Sequence, residues 1–418
     1  MSYFTNAKKL IKVANGITQK KKHIRELKTI NYLYLNGPKT INDICKTLKI
    51  STPNSVNIIN ELTAANIIEK KGLGPSIGGR KPDLYALKQE TFYVIAIEMG
   101  RYTTRIAIYC NENKNITGVN EFSLSIKNTE QEEACELLYK YTRKVIESSG
   151  LDETKILGVG LVMPGLVDSR KGINYTNLVN KGSSLKKVLE SKFGFPVFVE
   201  NIAKSIALAE YRFGLARNKK NVLVISLNWG IGLGLILDGK LHRGSTGFSG
   251  EFSHIPMVEN GDVCPCGKTG CLETIASGFT LVKLAKKGIE EDKSILLKTL
   301  TQGDPGALTP GLVLDAALKG DQYSLNILSE IGTNLGKGIA ILIQLFNPEL
   351  IILGGIISNA KQYITTPIQH ALNIYSMQQI SKKTTIELSE LGNDIGILGA
   401  VAVAMENLFN HIIEQVKI

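Results

Sequence analysis

From Thr91 onward the sequence alternates short apolar runs with longer amphipathic stretches, and that alternation restricts most of the chain to α/β architecture. Strands are predicted at residues 93–98, 104–110, 157–162, 197–200, 222–227, 233–237, 350–353 and 385–388. Helices are predicted near 130–148, 184–193, 204–213, 278–287, 325–346 and 397–415. Two successive units each open with a β-hairpin, at Tyr93 and at Val222, which implies a duplicated half-domain closing on a central cleft.

The first ninety residues have a different texture. A helix over 23–35 spaces Ile24, Leu27, Ile30 and Tyr34 along one face and stops at Asn36-Gly37-Pro38. Thr40 caps a second helix, with Ile41, Ile44, Cys45 and Leu48 at i, i+3, i+4, i+7. Ser51 as N-cap and Pro53 in the first turn open a third, running to about Ala65. In it Val56, Ile59 and Leu62 are expected to face inward, leaving Thr52, Asn54, Ser55 and Asn57 near an exposed N-terminal end. A strand over 67–71, the turn-rich run 72–79 and a strand ending near Leu87 then read as a wing, with Arg80 and Lys81 at its base. Residues 1–88 are thus expected to form a winged helix-turn-helix that reads double-stranded DNA. Its candidate contacts are Ser51, Thr52, Asn54, Ser55, Asn57, Arg80 and Lys81, asparagine being able to pair with adenine through two hydrogen bonds. Helix-turn-helix readers commonly engage two half-sites, so a homodimer or tetramer is expected.

Charge supports the polyanion partner. The chain of 418 residues has a formal charge of +11, and residues 1–90 carry 16 Lys and Arg against 6 acids. Nearly the whole excess sits on the module expected to meet phosphates, where it would release condensed counterions. No Lys or Arg lies between Ser51 and Asn66, so the N-terminal arm and the wing must supply the phosphate contacts. A solvated basic face and a protein-binding three-helix module are the plainer alternatives. Lys8, Lys9 and Lys12 punctuate an N-terminus without an apolar core, and no segment has eighteen uninterrupted apolar residues. The expectation is a cytoplasmic chain with no membrane partner.

The six cysteines do not resemble a disulfide framework. Cys45, Cys110 and Cys135 stand alone, whereas Cys264, Cys266 and Cys271 crowd into eight positions, ten residues after His254. Three thiolates and an imidazole suit a closed, structural tetrahedral Zn2+ site, with Gly267 and Gly270 to turn the loop. Buried thiols beside an unrelated histidine are the alternative.

The run Glu251-Phe252-Ser253-His254 followed by Cys264-Pro265-Cys266-Gly267-Lys268-Thr269-Gly270-Cys271-Leu272-Glu273 resembles the ROK family of repressors and sugar kinases. The resemblance continues through Met163-Pro164-Gly165, Gly230-Ile231-Gly232-Leu233-Gly234, Asn347-Pro348-Glu349 and Gly396-Ile397-Leu398-Gly399, covering most of 91–418. The wing Gly78-Gly79-Arg80-Lys81-Pro82 looks like the repressor branch, which includes the xylose and N-acetylglucosamine regulators. That likeness implies a ribonuclease-H-like, actin/hexokinase-type sensor over 89–418, with lobes at about 89–217 plus the C-terminal helix and at 218–396. It also implies a sugar held by Asn201, Glu251, His254 and Glu273, the histidine binding zinc through its other nitrogen. Family kinases carry an Asp after this asparagine as the proton-accepting base; here Ile202 stands there and cannot serve. Where those kinases have Asp-x-Gly-x-Thr, the chain has Glu98-Met99-Gly100-Arg101-Tyr102. The glycines of 230–234 read as a turn between strands, open to residual nucleotide contact. The expected function is a sugar- or sugar-phosphate-responsive regulator, a repressor of carbohydrate-utilisation genes without kinase activity. An active carbohydrate kinase with an appended DNA domain, and control by a protein partner, are the alternatives.

Overall fold

The computed structural model describes residues 16–75, 81–127, 129–178 and 184–417. The chain divides into two compact units, Met1–Glu200 with Ala400–Ile418, and Asn201–Gly399.

The first unit begins with helices α1 (Ile17–Asn36), α2 (Ile41–Leu48) and α3 (Thr52–Ala64) and the antiparallel hairpin β1 (Ile68–Leu73) and β2 (Asp83–Leu87). Thr40 starts α2 through a reciprocal cap, its Oγ1 accepting from Asp43 N while the Asp43 carboxylate accepts from Thr40 N. Lys49, at φ 53°, turns the chain sharply from α2 towards α3. The core of this module is Leu27, Ile30, Leu33, Ile44, Ile58, Ile59 and Leu62. It is tied to the following sheet inside the same unit: Tyr34 Oη donates to Asn113 Oδ1 at 2.7 Å, and Asn111 Nδ2 to Lys88 O at 2.9 Å.

The first sheet places β3 (Tyr93–Met99) between β4 (Thr104–Cys110) and β6 (Ile156–Met163), with β5 (Asn120–Phe122) and β7 (Val197–Asn201) at the edges. β3 pairs antiparallel with β4 and parallel with β6. Both faces of β3 are covered, which is why it reads as a continuous apolar run rather than an alternating one. Helices α4 (Gln131–Ser149) and α5 (Leu185–Phe193) contribute Leu138, Val145 and Leu189 to its core.

In the second unit, α6 (Ile202–Phe213) precedes β8 (Val222–Leu227), β9 (Ile231–Leu237) and β10 (Lys240–Leu241). Helices α7 (Gly278–Glu290), α8 (Pro310–Leu318) and α9 (Gln322–Phe346) lead to β11 (Leu350–Gly354), and α10 (Gln362–Tyr375) leads to β12 (Thr385–Leu388). The strand order is β10-β9-β8-β11-β12, the same three-two-one-four-five arrangement as β5-β4-β3-β6-β7. The duplication inferred from paired hairpins is thus present as topology. Helices α8 and α10 lie outside the helices expected from the sequence; each carries a proline, Pro310 in the first turn of α8 and Pro367 inside α10.

The last helix, α11 (Ile395–Lys417), is long and apolar enough to cross a membrane by length and composition, yet 72% of its apolar window is buried in the fold. Gly160 of β6 shows how closely it packs: a Cβ there would lie 2.0 Å from Ala400 O.

Two sequence expectations need correction. Gly232 and Gly234 do not form a turn; they lie in β9, paired with Ser226 and Val224, and the turn is confined to Asn228-Trp229-Gly230. They are glycines because α6 presses on the strand: a Cβ on Gly232 would meet Ala203 Cβ at 2.6 Å, and one on Gly234 would meet Ala207 Cβ at 2.4 Å. The second correction is Ser55, expected at the exposed end of α3 but fully buried. It lies three, four and seven residues before Ile58, Ile59 and Leu62, so the helical period puts it on the core face.

Candidate metal and sugar site

The segment after β10 folds back on itself because glycine permits two close approaches. At Gly250, φ +90°, a Cβ would lie 2.6 Å from Leu233 O; at Gly270, φ +69°, it would lie 1.8 Å from Val258 O. A short 3-10 turn, Phe252–His254, follows, and Phe252 is buried beneath it. Hydrogen bonds from Met257 N to Gly270 O, Cys264 N to Lys268 O and Gly267 N to Cys264 O close the loop.

These turns bring four potential ligands together. His254 Nδ1 is 3.5 Å from Cys264 Sγ, Cys266 Sγ is 3.7 Å from Cys271 Sγ, and the four ligand atoms all lie within 4.8 Å of one another. A tetrahedral zinc with bonds of about 2.3 Å to sulfur and about 2.0 Å to nitrogen demands S···S edges of about 3.8 Å and N···S edges of about 3.5 Å. The donor set therefore fits. All three cysteines are free thiols, and 3.7 Å is far too long for a disulfide. Burial pushes the Cys264 thiol up to about 12. At Cys266 burial acts upward too, but the Lys268 backbone and the neighbouring thiols outweigh it and hold that group below its ordinary value. With Nδ1 facing the sulfurs, His254 has Nε2 on its opposite edge.

The residues expected to hold a sugar all belong to the second unit. Asn201 caps α6, its Oδ1 accepting from Ala203 N at 2.9 Å and Lys204 N at 3.3 Å. Ala203 rests on Gly232 and Gly234 of β9, and Gly250 rests on Leu233 between them, so the start of α6 and Glu251 flank one stretch of strand. Glu273 opens the short helix after the cysteine loop, with its carboxylate 3.3 Å from the Cβ position of Gly230. Lys204, His254 and Glu273 are each electrostatic neighbours of Glu251. Surrounding protein pushes the Glu251 carboxyl above its ordinary range, and Glu273 adds to this, while Lys204 and His254 oppose it. Glu251 is nevertheless solvent-accessible, as a ligand contact must be. Lys204 went unnoticed in the sequence although it signals itself, as the lone charge within Ile-Ala-Lys-Ser-Ile-Ala-Leu-Ala, and it is only 3% exposed.

Ile202, the first residue of α6, is half-buried and offers nothing that accepts a proton. In the first unit Glu98 pairs with Arg105 at 3.0 Å, directly across the β3–β4 ladder. Tyr102 is exposed, with the Arg101 guanidinium 5.6 Å from its ring centre. Among the expected DNA contacts, Ser51, Thr52, Asn54, Asn57 and Lys81 are exposed; Arg80 lies outside the described residues.

Two sheets of identical strand order, one carrying a His/Cys3 loop beside paired glutamates, define a protein of the sugar-kinase-like α/β class. The comparisons give the family: the ROK family model matches residues 94–407, and the chain belongs to that family. It is 30% identical over 375 residues to a putative xylose repressor of a Caldicellulosiruptor species, covering 87% of this chain and 91% of that one. A glucokinase of Halalkalibacterium halodurans is 35% identical over 250 residues, covering 59% of this chain and 76% of the enzyme. Among solved structures, a ROK family transcriptional regulator homologous to the E. coli MLC protein superposes with a TM-score of 0.80 at 25% identity, covering 95% of this chain and 99% of that one.

Proposed function

We propose that the protein is a sugar-responsive, DNA-binding transcription regulator, a repressor of carbohydrate-utilisation genes that has lost phosphoryl transfer. One observation carries the reading: the position after Asn201, where family kinases hold the proton acceptor, opens α6 as Ile202. An alcohol is a poor nucleophile until its proton is accepted. Support comes also from the extent of likeness, since a 375-residue match to a repressor must enter the first 93 residues of a 418-residue chain. On this reading residues 1–88 are the winged helix-turn-helix and 89–418 the sensor. Ser51, Thr52, Asn54 and Asn57 face the DNA with Arg80 and Lys81, and Asn201, Glu251, His254 and Glu273 hold the sugar. His254, Cys264, Cys266 and Cys271 bind zinc, which fixes the loop that presents His254 and supplies no chemistry to a substrate. The regulator acts as a homodimer or tetramer in the cytoplasm.

The test is a coupled ADP-release assay across hexoses, pentoses and amino sugars, alongside fluorescence anisotropy on genomic operator fragments. We expect sugar-sensitive DNA binding and no turnover; a rate on the order of 1 per second would establish the kinase alternative instead.

A further inference from the structure

Glu273 stands on a helix of a single turn, Glu273–Ala276, and a helix that short does not hold itself. The last carbonyls of a helix have no amide partners within it, so they must be answered from outside. Side chains supply what this turn lacks. Thr280 Oγ1 donates to Glu273 O at 3.0 Å, and Asn334 Nδ2, reaching across from α9, donates to Ile275 O at 3.2 Å. Gly338 lies four residues after Asn334 and so on the same face of α9. Two core side chains rest on it: a Cβ there would meet Phe252 Cζ at 2.8 Å and Leu272 Cδ2 at 2.9 Å. Phe252 adjoins Glu251 in the chain, and Leu272 adjoins Glu273. One strip of one helix therefore bears the supports of both glutamates.

We infer that the Asn334–Gly338 face of α9 is the positioning element of the effector site, fixing where Glu251 and Glu273 stand relative to each other. This rests on the sugar-sensor reading above and adds to it two positioning residues. A sugar ring holds its hydroxyls at set separations, so two carboxylates accept from it together only when their own separation matches. A site whose matching arrangement is populated for only a fraction of the time loses affinity by that fraction. Asn334 acts through its amide hydrogens, and a carboxylate of the same shape has none to give. The far side of α9 makes different contacts: a Cβ on Gly336 would meet Ala371 Cβ of α10 at 2.6 Å and Ile368 O at 2.9 Å. Gly336 therefore provides a control that disturbs the same helix away from this strip.

The experiment is isothermal titration of the full-length, zinc-loaded chain with D-glucose, D-xylose and N-acetylglucosamine, with zinc content and thermal melts measured on the same preparations. The wild type is expected to bind at least one of these sugars. Asn334→Ala and Asn334→Asp should each weaken that sugar about tenfold with zinc content unchanged, and Asn334→Gln, which keeps the donor, should recover most of the loss. Gly336→Ala should lower the melting temperature and leave sugar affinity as in the wild type. If Asn334→Ala does not fold, Asn334→Asp, the closest in shape, carries the test. Unchanged sugar affinity in a folded Asn334→Ala or Asn334→Asp protein would overturn the inference and leave the sensor reading standing. An equal loss in Gly336→Ala would overturn it too, because the effect would then follow the stability of α9 rather than this strip. Absence of binding by every sugar in the wild type would overturn the sensor reading and this inference together.

Discussion

Gly234→Ala tests whether the glycine-rich run after Trp229 is kept for nucleotide or for packing. Gly234 lies within β9, and its φ is not in the left-handed region, so an alanine meets no backbone penalty there. The cost is spatial. The new Cβ would fall 2.4 Å from Ala207 Cβ and 2.7 Å from Ala203 O, and the second of these is helix backbone that cannot rotate away. Overpacking of this kind costs about 1–3 kcal/mol. Removing glycine's freedom in the unfolded chain returns about 0.4–1 kcal/mol. The net is a loss of roughly 1–2 kcal/mol, which for a unit of this size lowers the melting temperature by about 2–8 °C. Gly230→Ala is the matched control, because its Cβ would meet only the Glu273 carboxylate at 3.3 Å, the far end of a side chain that can give way. Scanning calorimetry on both variants is the assay. A Gly234→Ala protein that melts with the wild type would refute the claim that α6 and β9 are locked together at this point.

Ser55 Oγ is buried without a hydrogen-bond partner among the described residues, so Ser55→Ala should stabilise the chain by about 1 kcal/mol and leave operator affinity unchanged; a drop in DNA binding would return Ser55 to the contact surface. Burial, reinforced by Lys186, holds His411 below its ordinary value of 6.5, so its neutral form stabilises the fold above that pH and the contribution is lost as pH falls towards the depressed folded value. Urea midpoints at pH 7.5 and 5.0 should therefore differ less in His411→Gln than in the wild type. Elemental analysis should find about one zinc per chain, and Cys264→Ser should lose it together with protease resistance between residues 254 and 272, whereas retention of both would remove the metal assignment.

What the sequence disclosed followed from how local the signal was. The His254–Cys271 cluster was legible because all four ligands fall within one loop whose glycines dictate its turns. Strand positions were legible because β3, β6, β8 and β11 are buried on both faces and leave unbroken apolar runs. Ser55 was misread because a small polar residue beside Asn54 and Asn57 looks like a reader of bases, and only the facing of Ile58 and Ile59 settles which way it points. The roles of Gly232 and Gly234 depend on Ala203 and Ala207 pressing from a helix about thirty residues earlier, which no window of sequence around 230–234 contains.

On the proposed function, ligand binding has been kept while phosphoryl transfer has been lost. One sample tests both halves: full-length protein on a labelled operator fragment, titrated with sugar in the presence of Mg2+-ATP, with anisotropy and ADP release read together. A sugar is expected to shift operator affinity while ADP stays at background, and Asn201→Ala to abolish the shift. Steady ADP release with operator binding indifferent to sugar would contradict it.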